Sequence, residues 1–174
     1  NLERNVEMIC SVSELANLFR QGQDLKGFLS QVVQIVSRHM KADVCSIFLF
    51  DEHEDKLVMQ ATSGLNSKLV GELSLESGEG LTGLALKELR PIRDGRGKNN
   101  PYFKFIPESG EERLESFLAV PITRGIHRVG VLVLQDEECS RFSKSDALAL
   151  KAIASQLATT LENAQLLIGL PKHS

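Results

Sequence analysis

Apolar residues recur at two different periods along this chain, and the switch between them separates helices from strands. From residue 2 to residue 20 the period is helical. Leu2, Val6 and Ile9 form one stripe, and Met8, Val12, Leu15 and Phe19 form a second. Gly22-Gln23-Asp24 interrupts this helix. Asp24 is placed to cap a second one, which carries Leu25, Phe28, Leu29, Val32, Val36 and Met40 at helical spacing. The period then drops to two. Val44–Phe50 predicts a strand, the charged stretch Asp51–Asp55 a turn, and Leu57–Ser63 the antiparallel partner. A weaker strand is expected over Glu72–Leu75. The glycines of Ser77–Ala85 predict a tight turn into a short helix over residues 80–87. Arg90–Arg93 reads as a short edge strand, and Asp94–Asn100 as a loop closed by Pro101. Phe117–Thr123 and Arg128–Gln135 predict a long central hairpin, with a bulge or unpaired position at Pro121, which has no N–H to donate. Ser143 caps a final helix that runs to about Ile168. Its apolar positions are Leu150, Ile153, Leu157, Leu161, Ala164 and Ile168, and Ala147, Ala154 and Ala158 add a small-residue face.

This order predicts an α+β fold: a central antiparallel sheet of five to six strands, with the N- and C-terminal helices packed on one face. Residues 1–170 read as a single domain, with an N-terminal helix over 1–22, sheet core and loops over 23–142, a C-terminal helix over 143–168 and a tail over 169–174. Both terminal helices carry more apolar surface than one sheet face needs. A homodimer through them is therefore expected.

Length and composition narrow the function. The chain has 174 residues, of which 42% are hydrophobic and 25% charged, which suits one folded domain and argues against disorder. No apolar run approaches the roughly 20 residues that span a bilayer, so no membrane is expected. The polar opening Asn1-Leu2-Glu3-Arg4 has no signal-peptide pattern, and the lack of an initiator Met reads as a piece of a longer protein. A net charge of -3, no tryptophan and one tyrosine argue against nucleic acid as a partner. Cys10, Cys45 and Cys139 are odd in number and widely spaced, so neither a zinc site nor a redox pair is suggested. A reduced, cytoplasmic setting fits. None of His39, His53, His127 and His173 stands in a catalytic or metal-binding pattern, and no cofactor is implied. The turn at Ser77–Gly83 lacks the Gly-Lys-Ser/Thr ending of a phosphate loop. The basic stretch Arg90–Lys98 reads as a solvated loop or, more sharply, as an anion-attracting lid.

The element order, the glycine-rich Ser77–Gly83 turn and the Phe117–Gln135 hairpin resemble a GAF domain over roughly residues 10–168. Several segments go further: Asn100–Pro107, Glu111-Glu112-Arg113, Phe117–Ile122, Gly130–Gln135 and Val44–Leu49 are similar to the amino-terminal GAF domains of the nitrogen-branch phosphotransferase-system enzymes I. The resemblance implies a regulatory domain ahead of a phosphoenolpyruvate-dependent phosphotransferase in cis. Its effectors would be small nitrogen-status metabolites, glutamine or 2-oxoglutarate, and this part of the chain would not itself be catalytic. It also implies a pocket between the sheet and its crossing loops, over Ser46 and Phe48 and under segments 78–83 and 94–116. There Arg113 is the candidate cation for a ligand carboxylate. Thr82, Glu112 and Ser116 are candidate polar partners, and Phe103 and Phe105 candidate walls. Plainer readings stand beside these. Arg113 could form an exposed ion pair with Glu108, Glu112 or Glu115, the two phenylalanines could be core, and Ser46 could face the other way. Effector binding would reshape residues 94–116 and, through the hairpin, the 143–168 helix.

Three other readings start from the same resemblance. Some GAF domains bind cyclic nucleotides through an Asn-Lys, Phe, Asp-Glu pattern. Here the corresponding positions are Gln135-Asp136, Phe142 and Asp146-Ala147, which match only in part. Some free-standing members reduce free methionine sulfoxide with paired cysteines, which the spacing here does not suggest. The remaining alternative is a ligand-free module that dimerises and passes strain along its helices.

Overall fold

Asp24 accepts a hydrogen bond from the Gly27 N–H at 3.1 Å. That cap starts the second helix of the computed structural model, which describes residues 2–104, 106 and 109–167. The helices α1 (Leu2–Arg20) and α2 (Leu25–Met40) lie where the apolar periodicity puts them. The strands follow as β1 (Val44–Asp51), β2 (Lys56–Ser63) and β3 (Ser74–Glu76), then helix α3 (Gly80–Glu88), then β4 (Ile92–Asp94), β5 (Ser116–Arg124) and β6 (His127–Asp136). Helix α4 (Lys144–Leu167) closes the described chain. Ser143 and Asp146 cap it reciprocally, at 3.1 Å and 2.9 Å. All strand pairs are antiparallel, in the order β3-β2-β1-β6-β5-β4.

The short edge strands are displaced from their expected positions for local reasons. Glu72 and Leu73 donate their N–H groups to Leu69 O, which holds them in a turn, so β3 starts only at Ser74. Arg90 donates its N–H to Ala85 O at the end of α3, and Pro91 has none to give, so β4 starts at Ile92. Pro121 carries no bulge; of the two possibilities expected there it is the unpaired position that holds, on the β4 side. It stays in register opposite Val131, while Ile122 pairs with Gly130 and Thr123 with Arg128, which leaves Val129 as the extra residue. The β4 ladder ends opposite Ala119, so Pro121 needs no N–H on that side.

Strand alternation divides the core in two. Cys45 and Ile47 of β1, Leu118, Val120 and Ile122 of β5, and Leu132 and Leu134 of β6 pack against α1, α2 and α4. Phe48, Phe117, Ala119, Val131 and Val133 face the other way, against α3. The terminal helices do share one face of the sheet. The small-residue face of α4 is consumed inside the chain, however: Ala154 and Ala158 are buried in the first layer. The apolar surface left over is Val6 and Leu18 on α1 and Leu148 on α4, each more than half exposed. Gln156 ties α4 to α1 by donating to Ile9 O at 3.3 Å and to Ser13 Oγ.

Candidate functional site

The face away from the terminal helices is not wholly apolar. Ser46 and Phe48 of β1, Val133 and Gln135 of β6, Phe117 of β5 and Met59 of β2 form the floor of a cavity. Ser46 thus faces the pocket, where its hydroxyl meets the Thr62 hydroxyl at 2.9 Å. The roof is the first turn of α3, Gly80 to Thr82, together with Phe103, Lys104, Ile106, Ser109 and Glu111. Gly83 seats α3 close to the sheet edge, because a Cβ there would stand 2.7 Å from the Glu76 carbonyl oxygen. The cavity volume is about 30 Å³. At roughly 10–15 Å³ per water position, that is room for two or three waters.

Its polar end is built around a buried carboxylate. Glu111 is 6% exposed. Its Oε2 accepts from Gln135 Nε2 at 2.8 Å, its Oε1 lies 3.4 Å from Ser109 Oγ, and its N–H donates to Ser109 Oγ at 3.1 Å. Burial pushes its carboxyl above the ordinary glutamate value. The bonds from Gln135 and Ser109 and a backbone bond from Ile106 pull it down, and nearby Glu112 pushes it up. The folded chain therefore holds this proton more tightly than the unfolded chain. The contribution to stability is present below the unfolded value of about 4.3 and is lost as pH rises through the folded value. Replacing the charge with a neutral amide, Glu111→Gln, is expected to raise Tm relative to wild type near neutral pH, with the difference narrowing towards about pH 4. Melts across that range check this, and a pH-independent difference contradicts it.

Lys104 is the only cation in the cavity wall among the described residues. It pairs with Glu79 at 2.6 Å at the rim, and this contact holds the Glu79 carboxyl below its ordinary value.

Of the residues expected at the site, Ser46, Phe48, Thr82 and Phe103 come together around the cavity. Phe105 lies outside the described residues, as does Glu108, one of the partners considered for Arg113. Glu112, Arg113 and Ser116 do not line the cavity. Glu111–Arg113 is a 3-10 turn, whose successive side chains point about 120° apart, so one residue turned inward turns its neighbours away. Glu111 is the one turned in. Arg113 instead donates to Gly64 O at 3.3 Å and pairs with Glu137 at 3.5 Å. Glu112 uses its carbonyl, which accepts from Lys98 Nζ at 2.7 Å. The Ser116 hydroxyl bridges Glu138 O and the Arg141 N–H. The basic stretch is similarly committed: Arg90 pairs with Glu88, and Arg93 donates to Phe142 O. No cysteine lines the cavity. Cys10 and Cys139 are exposed elsewhere, and Cys45 is buried on the opposite layer, where desolvation pushes its thiol up.

Glu111, Gln135, Ser109 and Lys104 are the polar residues that the sequence reading missed. Gln135 was recoverable in principle, because it shares strand parity with Val131 and Val133 in an otherwise apolar strand.

A sheet of this order, with helices on one face and a roofed cavity on the other, has known counterparts. The GAF domain model matches residues 22–162. The chain belongs to the GAF family. Two solved GAF domains of phosphoenolpyruvate-protein phosphotransferases superpose over nearly all of this one. That from Coxiella burnetii is 32% identical, with 98% of this chain and 99% of that chain covered and a TM-score of 0.89. That from Acinetobacter is 27% identical, with the same coverage and a TM-score of 0.83. In sequence, the phosphoenolpyruvate-dependent phosphotransferase system protein of Escherichia coli (strain K12) is 31% identical over 159 residues, which is 91% of this chain and 21% of that protein. This GAF domain thus spans about a fifth of the length of the curated relatives it matches first. No helix among the described residues is long and apolar enough to cross a membrane.

Proposed function

We propose that this GAF domain is a sensor. In this reading it binds a small nitrogen-status metabolite of the glutamine or 2-oxoglutarate class and controls a phosphoenolpyruvate-dependent phosphotransferase in cis, in the cytoplasm. The observation that carries the proposal is the polar lining of the cavity. Ser46, Thr82, Ser109, Glu111 and Gln135 are all buried at a place that a purely structural core would fill with apolar side chains. The likeness to phosphotransferase GAF domains supplies the output.

A metabolite of about ten heavy atoms needs more room than two or three waters. Binding therefore requires the roof to move, and this couples occupancy to conformation. The roof runs directly into β5, β5 pairs with β6, and α4 packs on both before leaving the domain. A ligand that binds the displaced arrangement better than the closed one shifts the balance between them. The exposed Val6, Leu18 and Leu148 support a homodimer through the terminal helices, which would carry the change onwards.

These same exposed residues favour the second reading, a ligand-free dimerising module. A thermal-shift titration separates the two. Saturable stabilisation by glutamine or 2-oxoglutarate supports sensing, and its absence supports the dimeriser. With no cysteine at the cavity, nothing in the site favours a sulfoxide reductase.

A further inference from the structure

A second cleft, of about 190 Å³, opens on the side of the sheet away from α3, where three helix ends meet. Arg4 comes from the start of α1, His39 and Lys41 from the end of α2, and Arg141 and Asp146 from the approach to α4 and its first turn. Three cationic side chains, Arg4, Lys41 and Arg141, thus line it with one carboxylate, Asp146, and the His39 imidazole. Three against one leaves a local excess of two positive charges, in a chain whose net charge is -3. At 190 Å³ against 30 Å³, this cleft admits a small ligand without the rearrangement that the α3 cavity requires.

Arg141 is held in place in advance. Its Nη2 donates to Met40 O at 2.9 Å and to Lys41 O at 3.3 Å, and its guanidinium carbon lies 5.8 Å from the centroid of the Phe142 ring. These contacts aim the fork without using it up. A guanidinium has five N–H donors, and Nη1 reaches Asp146 only at 4.0 Å, too far for a hydrogen bond. Both side chains of that pair are partly exposed, so sharing the guanidinium with a ligand forfeits little. Lys41 projects from a left-handed backbone, φ 54°, where helix ends favour glycine, so an ammonium stands where the backbone alone would select no side chain. Cations that arrive from three elements suit a tetrahedral group with up to two charges and oxygens in several directions. A carboxylate offers one charge and two oxygens in one plane, and cannot meet them all.

We propose that this cleft binds the phosphate group of a small phosphorylated metabolite, with the Arg141 fork on the group and Lys41 and Arg4 closing on it from α2 and α1. A ligand there ties the start of α4 to both N-terminal helices, and so favours one arrangement of the helical layer over others. The cleft shares no residue with the α3 cavity, and its assignment does not depend on the sensing reading.

The test is isothermal titration calorimetry of this chain with inorganic phosphate, pyrophosphate and phosphoenolpyruvate, at fixed ionic strength because exposed charges are screened by salt. Malonate, a dianion without phosphorus, is the comparison. Saturable binding of one equivalent is expected for at least one phosphate compound, and the tightest of the three tells free phosphate from a phosphoanhydride or a phosphate ester. Lys41→Gly, which suits the backbone there, and Arg4→Gln, on an exposed side chain, should each weaken that binding about three- to tenfold. Lys151→Gln removes an exposed charge elsewhere on α4 and should change it little. Absence of saturable binding by all three phosphate compounds overturns the assignment. So does malonate binding as tightly as the best of them, affinity that survives both Lys41→Gly and Arg4→Gln, or an equal loss in Lys151→Gln. Binding seen only with a polyanionic chain such as heparin or RNA also overturns it, in favour of a polymer-binding surface.

Discussion

Phe28→Ala is expected to cost about 4 kcal/mol of folding stability, near the upper end for an emptied core site. Phe28 is fully buried, and its ring stacks on Phe19 at 4.8 Å between centroids with a 12° interplanar angle. That contact joins α1 to α2, so the void would open between two helices fixed by their own packing on the sheet, where collapse is difficult. For a chain of this size the loss corresponds to a fall in Tm of roughly 8–16 °C. The cavity lies on the opposite face of the sheet and shares no residue with this layer. Below the lowered Tm, ligand affinity should therefore change little. Calorimetric melting and a binding titration on the same variant check both halves.

Gly130→Ala is expected to cost about 3 kcal/mol and to lower Tm by roughly 6–12 °C. A Cβ at Gly130 would stand 2.1 Å from the Phe48 carbonyl oxygen and 3.2 Å from the Leu49 Cα. These are backbone atoms of a central strand and cannot swing aside as a side chain can. Gly130 follows the extra residue Val129 in β6, and Phe48 follows the point in β1 where Gln60 of β2 is left unpaired. The two irregularities bring the strands too close here for any side chain. Because Phe48 is part of the cavity floor, this variant, unlike Phe28→Ala, should weaken ligand binding as well as stability. A melt together with a titration distinguishes the two variants.

Most of the fold was legible because its signals are local. Asp24 and Ser143 announce their helices by capping chemistry. β1, β5 and β6 stand out as near-continuous apolar runs because these strands are buried on both faces. The three-residue edges were misplaced because their limits depend on hydrogen bonds made by other elements, such as Arg90 N–H to Ala85 O. The same contrast divides the site. Ser46, Phe48, Thr82 and Phe103, which the family resemblance implies, do line the cavity: strand parity puts Ser46 and Phe48 on one face and the glycine-rich turn carries Thr82 over it, while Phe103 lies in a loop that no local signal positions. Glu111 was passed over in favour of Arg113 because a Glu-Glu-Arg run reads as solvated, and chemistry alone prefers the guanidinium. Which of the three turns inward is decided by the phase of a 3-10 turn and by Gln135, a partner from another strand. That pairing is tertiary and leaves no mark on the local pattern.

The central claim is that the cavity between the sheet and α3 binds a small metabolite. It is tested most directly by a thermal-shift titration with glutamine and 2-oxoglutarate, run on the wild type and on Ser46→Phe, which fills the cavity floor. At about 100 times its dissociation constant, a ligand stabilises by about 2.7 kcal/mol, a rise in Tm of roughly 5–10 °C for a chain of this size. The expected result is a saturable rise of that order in the wild type with glutamine or 2-oxoglutarate, and none in Ser46→Phe. No rise with either metabolite, or a rise that persists once the cavity is filled, would contradict the claim.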